Sequence, residues 1–413
     1  MRALRVLYMV AIFLLFSSGS HAQTTPPTDI FDLWNGGTQL RGMNIWQRLV
    51  IPDIDGDTFL GDSRVGPPYT QADFDHLAAL GANYVNVSGP GFFTENPPYV
   101  LDRDVQANWD HILRMIANAN MYAVISLRTG PGRSDFTFYA DEFAEWGDPS
   151  LINDDVWQNQ NAQDAWVAMW QHVAMRYQNN PVVIGYDLMV EPNAAARLLD
   201  IYNPDEFYTQ YAGTSYDWNT FYPRMVASIR SVDMQMPILV SAPEWGNMAW
   251  LPYLKLHDDS RIVYTVHLYD PFLYTHQDPQ EAVFFPGEVD ADYDGNLDYV
   301  DEAWVEASFA ILDAWQQEHN MPVAVNEYGV VRWVPGGDRF IHAQMEALEG
   351  RGINHALWAW NPSWQPFDSV VDAFDYWHGS DANHHSEVQS TPLTNIIIEN
   401  WSRNDFRPFV QSP

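Results

Sequence analysis

Eight short apolar segments, each separated from the next by a helical pattern, run along most of the chain. They are Leu40 to Trp46, Tyr84 to Val87, Tyr122 to Leu127, Val182 to Leu188, Ile238 to Val240, Ile262 to Leu268, Val323 to Asn326 and Ile353 to Trp360. Alternation of strand and helix is the mark of a parallel sheet. Between the strands, apolar residues recur at i, i+3, i+4 spacing. Trp166, Met169, Trp170, Val173 and Tyr177 form one such stripe, and Trp304, Ser308, Ile311, Leu312 and Trp315 another, both expected to face the core. Asp338 is expected to N-cap a helix closed by Gly350 and Gly352, and a last helix is expected around Leu393 to Trp401.

Eight such units favour a closed barrel over an open doubly wound sheet, and no glycine-rich dinucleotide loop is present. The expected fold is α/β, a (β/α)8 TIM barrel in a single domain over residues 31–410, with a long acidic loop at about 270–302. In such a barrel chemistry sits at the C-terminal ends of the strands, so any motif must fall there to count.

The first residues, Met-Arg-Ala-Leu-Arg, precede an apolar run from Val6 to Phe16 and small residues ending at Ala22. That is the pattern of a secretory signal over residues 1–22, followed by a short leader at 23–30. The run is shorter than the roughly 20 residues that span a bilayer, so a membrane anchor is the weaker alternative. An exported protein with no membrane association after cleavage is expected, as a monomer. It contains no cysteine, so a large core must replace disulfides. With 54 acidic against 20 basic residues the formal charge is −34, which excludes nucleic acid as a partner. The 18 Trp, 21 Tyr and 21 Phe are more than a core needs, and flat amphipathic rings suit sugar faces.

Two glutamates pass the strand-end test. Glu191 closes Ile184-Gly-Tyr-Asp-Leu-Met-Val-Glu-Pro-Asn193, and Glu327 closes Val323-Ala-Val-Asn-Glu-Tyr-Gly329. A carboxylate directly after a buried strand is costly to desolvate unless it is paired or used. A loop glutamate held by an arginine is the alternative for either alone.

Together these segments resemble glycoside hydrolase family 5, the cellulase and mannanase family of the clan A retaining β-glycosidases. Arg176-Tyr177 to Asn180-Pro181-Val182-Val183-Ile184-Gly185-Tyr186 with Glu191-Pro192-Asn193 is similar to the family's fourth strand, and Asn326-Glu327-Tyr328-Gly329 to its seventh. Val266-His267-Leu268-Tyr269 matches the sixth-strand His-x-Tyr, and Trp358-Ala359-Trp360 resembles the eighth strand. The resemblance implies Glu327 as nucleophile and Glu191 as acid/base in a double displacement with net retention, and no cofactor for the chemistry. It implies carboxylates about 5 Å apart, Glu191 protonated while Glu327 is ionised. Tyr269 would hydrogen-bond the nucleophile and His267 would line the pocket. Trp360 would be the sugar platform, its alternative being rim packing. Trp364, Trp245 and Trp333 follow strand ends as further subsite candidates.

The chain departs from the family at three places. Asn86 stands where an arginine is usual, Arg128 where a histidine is usual, and Val190 where an asparagine precedes the acid/base. One reading is a swap, in which Arg128 supplies the charge that keeps Glu327 ionised and Asn86 takes a sugar contact. The other pairs Arg128 with Asp135 or Glu142. Val190 cannot bond a sugar 2-hydroxyl, leaving Asn193 or Asn326 to substitute.

After the sixth strand, Asp290, Asp292, Asp294, Asn296, Asp298 and Asp301 occupy positions 1, 3, 5, 7, 9 and 12 of a loop with Gly295 at position 6. That spacing predicts a structural calcium, against the alternative of a solvated acidic loop. Asp53-Ile-Asp-Gly-Asp57 is an incomplete echo, and His384-His385 is expected to be solvated. The expected activity is hydrolysis of a β-linked glucan, mannan or related saccharide. A transglycosylase on the same site and a carbohydrate-binding pseudoenzyme are the alternatives.

Overall fold

The computed structural model describes residues 27–55, 64–361 and 372–408. Eight parallel strands close into a barrel: β1 (Arg41–Trp46), β2 (Tyr84–Gly89), β3 (Tyr122–Leu127), β4 (Val183–Asp187), β5 (Ile238–Ser241), β6 (Ile262–Leu268), β7 (Val323–Tyr328) and β8 (Asn354–Leu357). Each pairs with the next in sequence, and β8 returns to β1 through His355 beside Arg41. All eight expected strands are present. The last is shorter than its apolar run, ending at Leu357 rather than Trp360.

Side chains facing the axis form layers. The lowest is apolar and includes Tyr84, Tyr122, Val124, Ile184, Leu239, Val263 and Ala324, closed from below by Leu33 and Trp34. The Trp34 indole donates to the Ile184 carbonyl at 2.9 Å, so the plug buries no unpaired N–H. One step up each strand the layer turns polar, with Asn44, Asn86, Ser126, Asp187 and Asn326 all under 2 % exposed. The next step reaches the mouth.

Outside the strands the helices pack as their stripes require. Trp166, Met169, Trp170, Val173 and Tyr177 on the helix Gln160–Tyr177 are all buried, and each large ring removed from water contributes on the order of 2–3 kcal/mol. Asn159 caps that helix through the Asn161 and Ala162 amides. The second expected stripe does not hold as one surface. The chain breaks at Phe309 between helices Glu302–Ser308 and Ala310–His319, which buries Leu312 and Trp315 but leaves Ile311 exposed. Asp338 is not a cap either, because Gly336, at φ +83°, takes the N-cap position and Asp338 lies in the first turn. The last helix, Pro392–Trp401, carries a Thr391/Thr394 capping box.

The signal segment and the leader through residue 26 lie outside the described residues. Among the described residues no helix is long and apolar enough to cross a membrane.

Candidate active site

The mouth of the barrel gathers Arg128 from the end of β3, Glu191 from the turn after β4, His267 from β6 and Glu327 from β7, all 8 % exposed or less. Glu327 owes its direction to a slip of register. Val325 sits beside Val266 and Glu327 beside His267, so β7 carries one residue more than β6 over that span. The extra residue lets consecutive side chains serve the interior, Asn326 reaching the Asp187 carboxylate at 2.8 Å below and Glu327 rising into the mouth.

Glu191 is presented by strained backbone, at φ +52°. A non-glycine residue there costs about 1–2 kcal/mol, so neighbouring contacts must hold it. Arg133, fully buried, donates to the carbonyls of Val190 and Glu191, each at 2.7 Å.

One oxygen of each glutamate and a nitrogen of His267 lie within 4.8 Å of one another. His267 Nδ1–H donates to Glu191 Oε1 at 2.8 Å and stands 3.8 Å from Glu327 Oε1. The Tyr269 hydroxyl donates to Glu327 Oε1 at 2.8 Å. Burial and the nearby carboxylates push that hydroxyl well above its ordinary value, so it remains a donor. Gly246, at φ +69°, leaves the room His267 needs, since a Cβ there would meet the imidazole at 2.9 Å.

Burial works against charge at every member, and partners decide the outcome. Burial would lower the His267 imidazole, but Glu327 and Glu191 outweigh it and raise it to about 9. Burial and the Glu191 charge push Glu327 up to about 7 against the pull of His267, Arg128 and Tyr269. Glu191 is buried as deeply, yet the His267 hydrogen bond with Arg128 and Arg133 holds it below the ordinary carboxylate value. His267 bonds to Glu191 and not to Glu327, which biases the ionised form toward Glu191, opposite to the bias expected from sequence. The pair shares one proton, Glu191 being held down and Glu327 pushed up.

Arg128 pairs with Asp135, as the second reading expected, and of the swap only the charge of Arg128 on the glutamates is seen, since Asn86 is engaged elsewhere. Its Nε–H donates to Asp135 at 2.7 Å, while its charge still lowers both glutamates. Its guanidinium lies 3.6 Å from the Phe138 ring centre and 5.5 Å from that of Trp358.

Other expected contacts are placed elsewhere. The Asn86 amide donates to Asn44 at 2.7 Å and its oxygen accepts from Ser126 at 2.7 Å, which leaves it in the polar layer with no group free for a sugar. Asn193 is fully buried, its oxygen 3.5 Å from Arg133, and Asn326 is bound to Asp187 beneath the site. Trp360 is 5 % exposed, packed against Trp377 and edge-on to His76 at 5.4 Å between centroids. It packs within the rim, whereas Trp358, half-buried, stands beside Arg128 at the mouth. Trp245 lines a pocket of about 490 Å³ with Phe138, Tyr139, Arg197 and Tyr202, next to the turn that carries Glu191. Trp333 donates its indole to the Gln277 carbonyl at 2.9 Å. Trp364 lies outside the described residues.

Sequence reasoning passed over Trp358, Arg133 and Glu244. Glu244 follows the apolar strand β5 closely, so the strand-end test that found Glu191 and Glu327 would have found it as well.

In the acidic loop, a ribbon of Gly287–Val289 against Asp298–Val300 brings oxygens of Asp290, Asp292 and Asp294 within 4.8 Å of one another. Gly295, at φ +86°, makes the turn, and its amide donates to Asp290 at 3.0 Å. The Asn296 side chain donates to Asp294 at 2.9 Å, and Asp298 accepts from the Ala291 amide at 3.3 Å. Asp301 does not join the trio as a twelfth-position ligand would, because its Oδ1 caps the helix Glu302–Ser308 through Ala303 and Trp304. Asp55, within the shorter echo, is held by Arg48, and residues 56 and 57 lie outside the described residues. His385 is not simply solvated. It meets the Asp372 carboxylate at 2.9 Å, with His378 on the other oxygen and buried Arg332 balancing the charge.

The profile of the cellulase family, glycosyl hydrolase family 5, matches residues 35–363. Endoglucanase C of Acetivibrio thermocellus is 24% identical over 210 residues, 50% of this chain and 52% of its own, so the chain spans about half the length of that relative. An endoglucanase of Paenibacillus polymyxa is 26% identical over 340 residues, covering 77% of this chain and 71% of its own. The barrel superposes on Thermotoga maritima Cel5A in complex with mannotriose with a TM-score of 0.61 at 17% identity, over 89% of this chain and all of that one. With its fold, its paired glutamates and this match over most of its length, the chain belongs to the cellulase family, glycosyl hydrolase family 5.

Proposed function

We propose that this protein is an exported retaining β-glycoside hydrolase that cleaves a β-linked glucan by double displacement. The observation that carries the reading is the approach of the Glu191 and Glu327 oxygens to within 4.8 Å, with His267 between them. Retaining enzymes hold their carboxylates about 5 Å apart, whereas inverting ones leave roughly 6.5–9.5 Å for a water.

Glu327, oriented by Tyr269, attacks the anomeric carbon while Glu191 delivers a proton to the leaving oxygen. Glu191 then removes a proton from the water that releases the sugar. Arg128 favours the ionised nucleophile from β3, where its charge bears on both glutamates. When a sugar enters and the proton passes to Glu191, the His267 bond must loosen, which assigns His267 the control of which carboxyl holds it. Trp358 offers a ring for the pyranose face in the cleavage subsite.

Glucan is favoured over mannan because the matched relatives from Acetivibrio and Paenibacillus are named endoglucanases. The Thermotoga barrel holding mannotriose keeps mannan as the second substrate to assay. Export rests on the signal-like first 22 residues. The Asp290, Asp292 and Asp294 trio, with Asn296 and Asp298 in the same turn, supports a structural calcium.

Release of reducing ends from β-glucans, mannans and xylans by the wild type and by Glu327→Ala tests the reading. Activity on a glucan that disappears in the variant is expected. Sugar binding without turnover in the wild type would point to a pseudoenzyme and overturn it.

A further inference from the structure

The left-handed turn that carries Glu191 runs into a short helix, Ala194–Leu199, whose first amides need acceptors. Asn193 stands at the N-cap position, but its side chain does not cap; its oxygen faces Arg133 instead. The acceptor comes from another strand. Glu244, beyond β5, takes the Ala195 amide on one oxygen at 2.9 Å and the Ala196 amide on the other at 2.8 Å.

Glu244 is itself held in costly backbone. It lies at φ +51°, Trp245 at φ +63° and Gly246 at φ +69°, three successive left-handed residues. Glu244 is 5 % exposed, so its carboxylate loses water and gains only these two amides and the Arg133 charge. Such strain persists only where surrounding contacts fix it. The same turn packs on the other partner of the acid/base, since a Cβ on Gly246 would meet the His267 ring at 2.9 Å and the next residue, Asn247, makes a backbone bridge to His267. One three-residue turn therefore meets His267 on one side and, on the other, the start of the helix that follows Glu191, at the Ala195 and Ala196 amides.

We propose that Glu244 is a positioning residue that sets the Glu191 carboxyl against His267 and the leaving oxygen, with Arg133 gripping the same turn from its carbonyl side. The proposal rests on Glu191 being the acid/base. Arg133 on the carbonyls of residues 190 and 191 and Glu244 on the amides of residues 195 and 196 fix the turn at both ends. Loss of one grip leaves Glu191 in place on average but free to rotate, and proton delivery is sensitive to hydrogen-bond distance.

The test uses Glu244→Gln, which keeps the shape but offers an N–H where an amide needs an acceptor, and compares kcat/KM on two substrates. An unactivated β-oligosaccharide needs a proton on its leaving oxygen, whereas the matching β-glycosyl fluoride does not. The expected result is a fall of about tenfold or more on the oligosaccharide with the fluoride within about twofold of wild type. An equal fall on both, or no fall on either, overturns the proposal. If Glu244→Gln does not fold, Glu244→Asp, which keeps the charge but shortens the reach, is read in the same way. Failure of the wild type on both substrates would instead remove the glycosidase reading itself.

Discussion

His267 donates to Glu191 at 2.8 Å and stands 3.8 Å from Glu327, so one imidazolium serves two carboxyls with unequal force. The pair carries one proton between the low titration of Glu191 and that of Glu327 near 7. The singly protonated pair is the competent form, whichever oxygen holds the proton at rest. It loses that proton as pH rises through about 7, and kcat/KM should fall there. His267 lowers both glutamates, so His267→Gln should move both limbs of the kcat/KM profile to higher pH. A profile flat through pH 7 in the wild type would contradict this.

Trp358 and Trp360 should separate cleanly. Trp358→Ala removes the half-buried ring beside Arg128 and should lower kcat/KM by about tenfold or more while costing little stability. Trp360→Ala empties a packed site against Trp377 and should cost about 3–5 kcal/mol in urea unfolding.

That contrast shows where the sequence was readable. Strands were legible because a parallel barrel strand is buried on both faces and reads as an unbroken apolar run. Glu191, Glu327, His267 and Tyr269 were legible because each closes or follows such a run. Trp358 was passed over in favour of Trp360 because β8 ends at Leu357, and beyond a strand end alternation no longer says which way a side chain points. The place of Asn86 depends on Asn44 and Ser126, contributed by neighbouring strands, and no local pattern announces such a layer. Arg133 and Glu244 act on backbone groups far away in sequence, so only the folded chain shows what they hold.

At the opposite end of the barrel, Arg41 meets Glu349 through two bonds of 2.5 and 2.7 Å, with His355 at 3.3 Å. Burial opposes the Glu349 charge, but these partners win and hold its carboxyl well below the ordinary value. A depressed folded value gives stability that is present above the unfolded carboxylate range and is lost as pH falls below it. Glu349→Gln should therefore cost about 3 kcal/mol at pH 7 and distinctly less near pH 3, read by urea unfolding at both. Equal costs at the two pH values would rule the charge out.

Calcium at the Asp290, Asp292 and Asp294 trio should be visible in stability. An ion at about 100 times its Kd adds roughly 2.7 kcal/mol, so a chelator should lower the thermal midpoint and calcium restore it. Asp292→Asn should remove the response. A midpoint indifferent to both reagents would leave the loop as a solvated acidic turn.

The most direct test of the central claim is the anomeric configuration of the first product, followed by proton NMR during cleavage of a β-linked oligosaccharide. Glu327 as nucleophile and Glu191 as acid/base require two displacements at one carbon, so the β-anomer should appear first and the α-anomer only as mutarotation proceeds. An α-anomer formed first would mean a single displacement by water and would contradict the assignment of Glu327 as nucleophile.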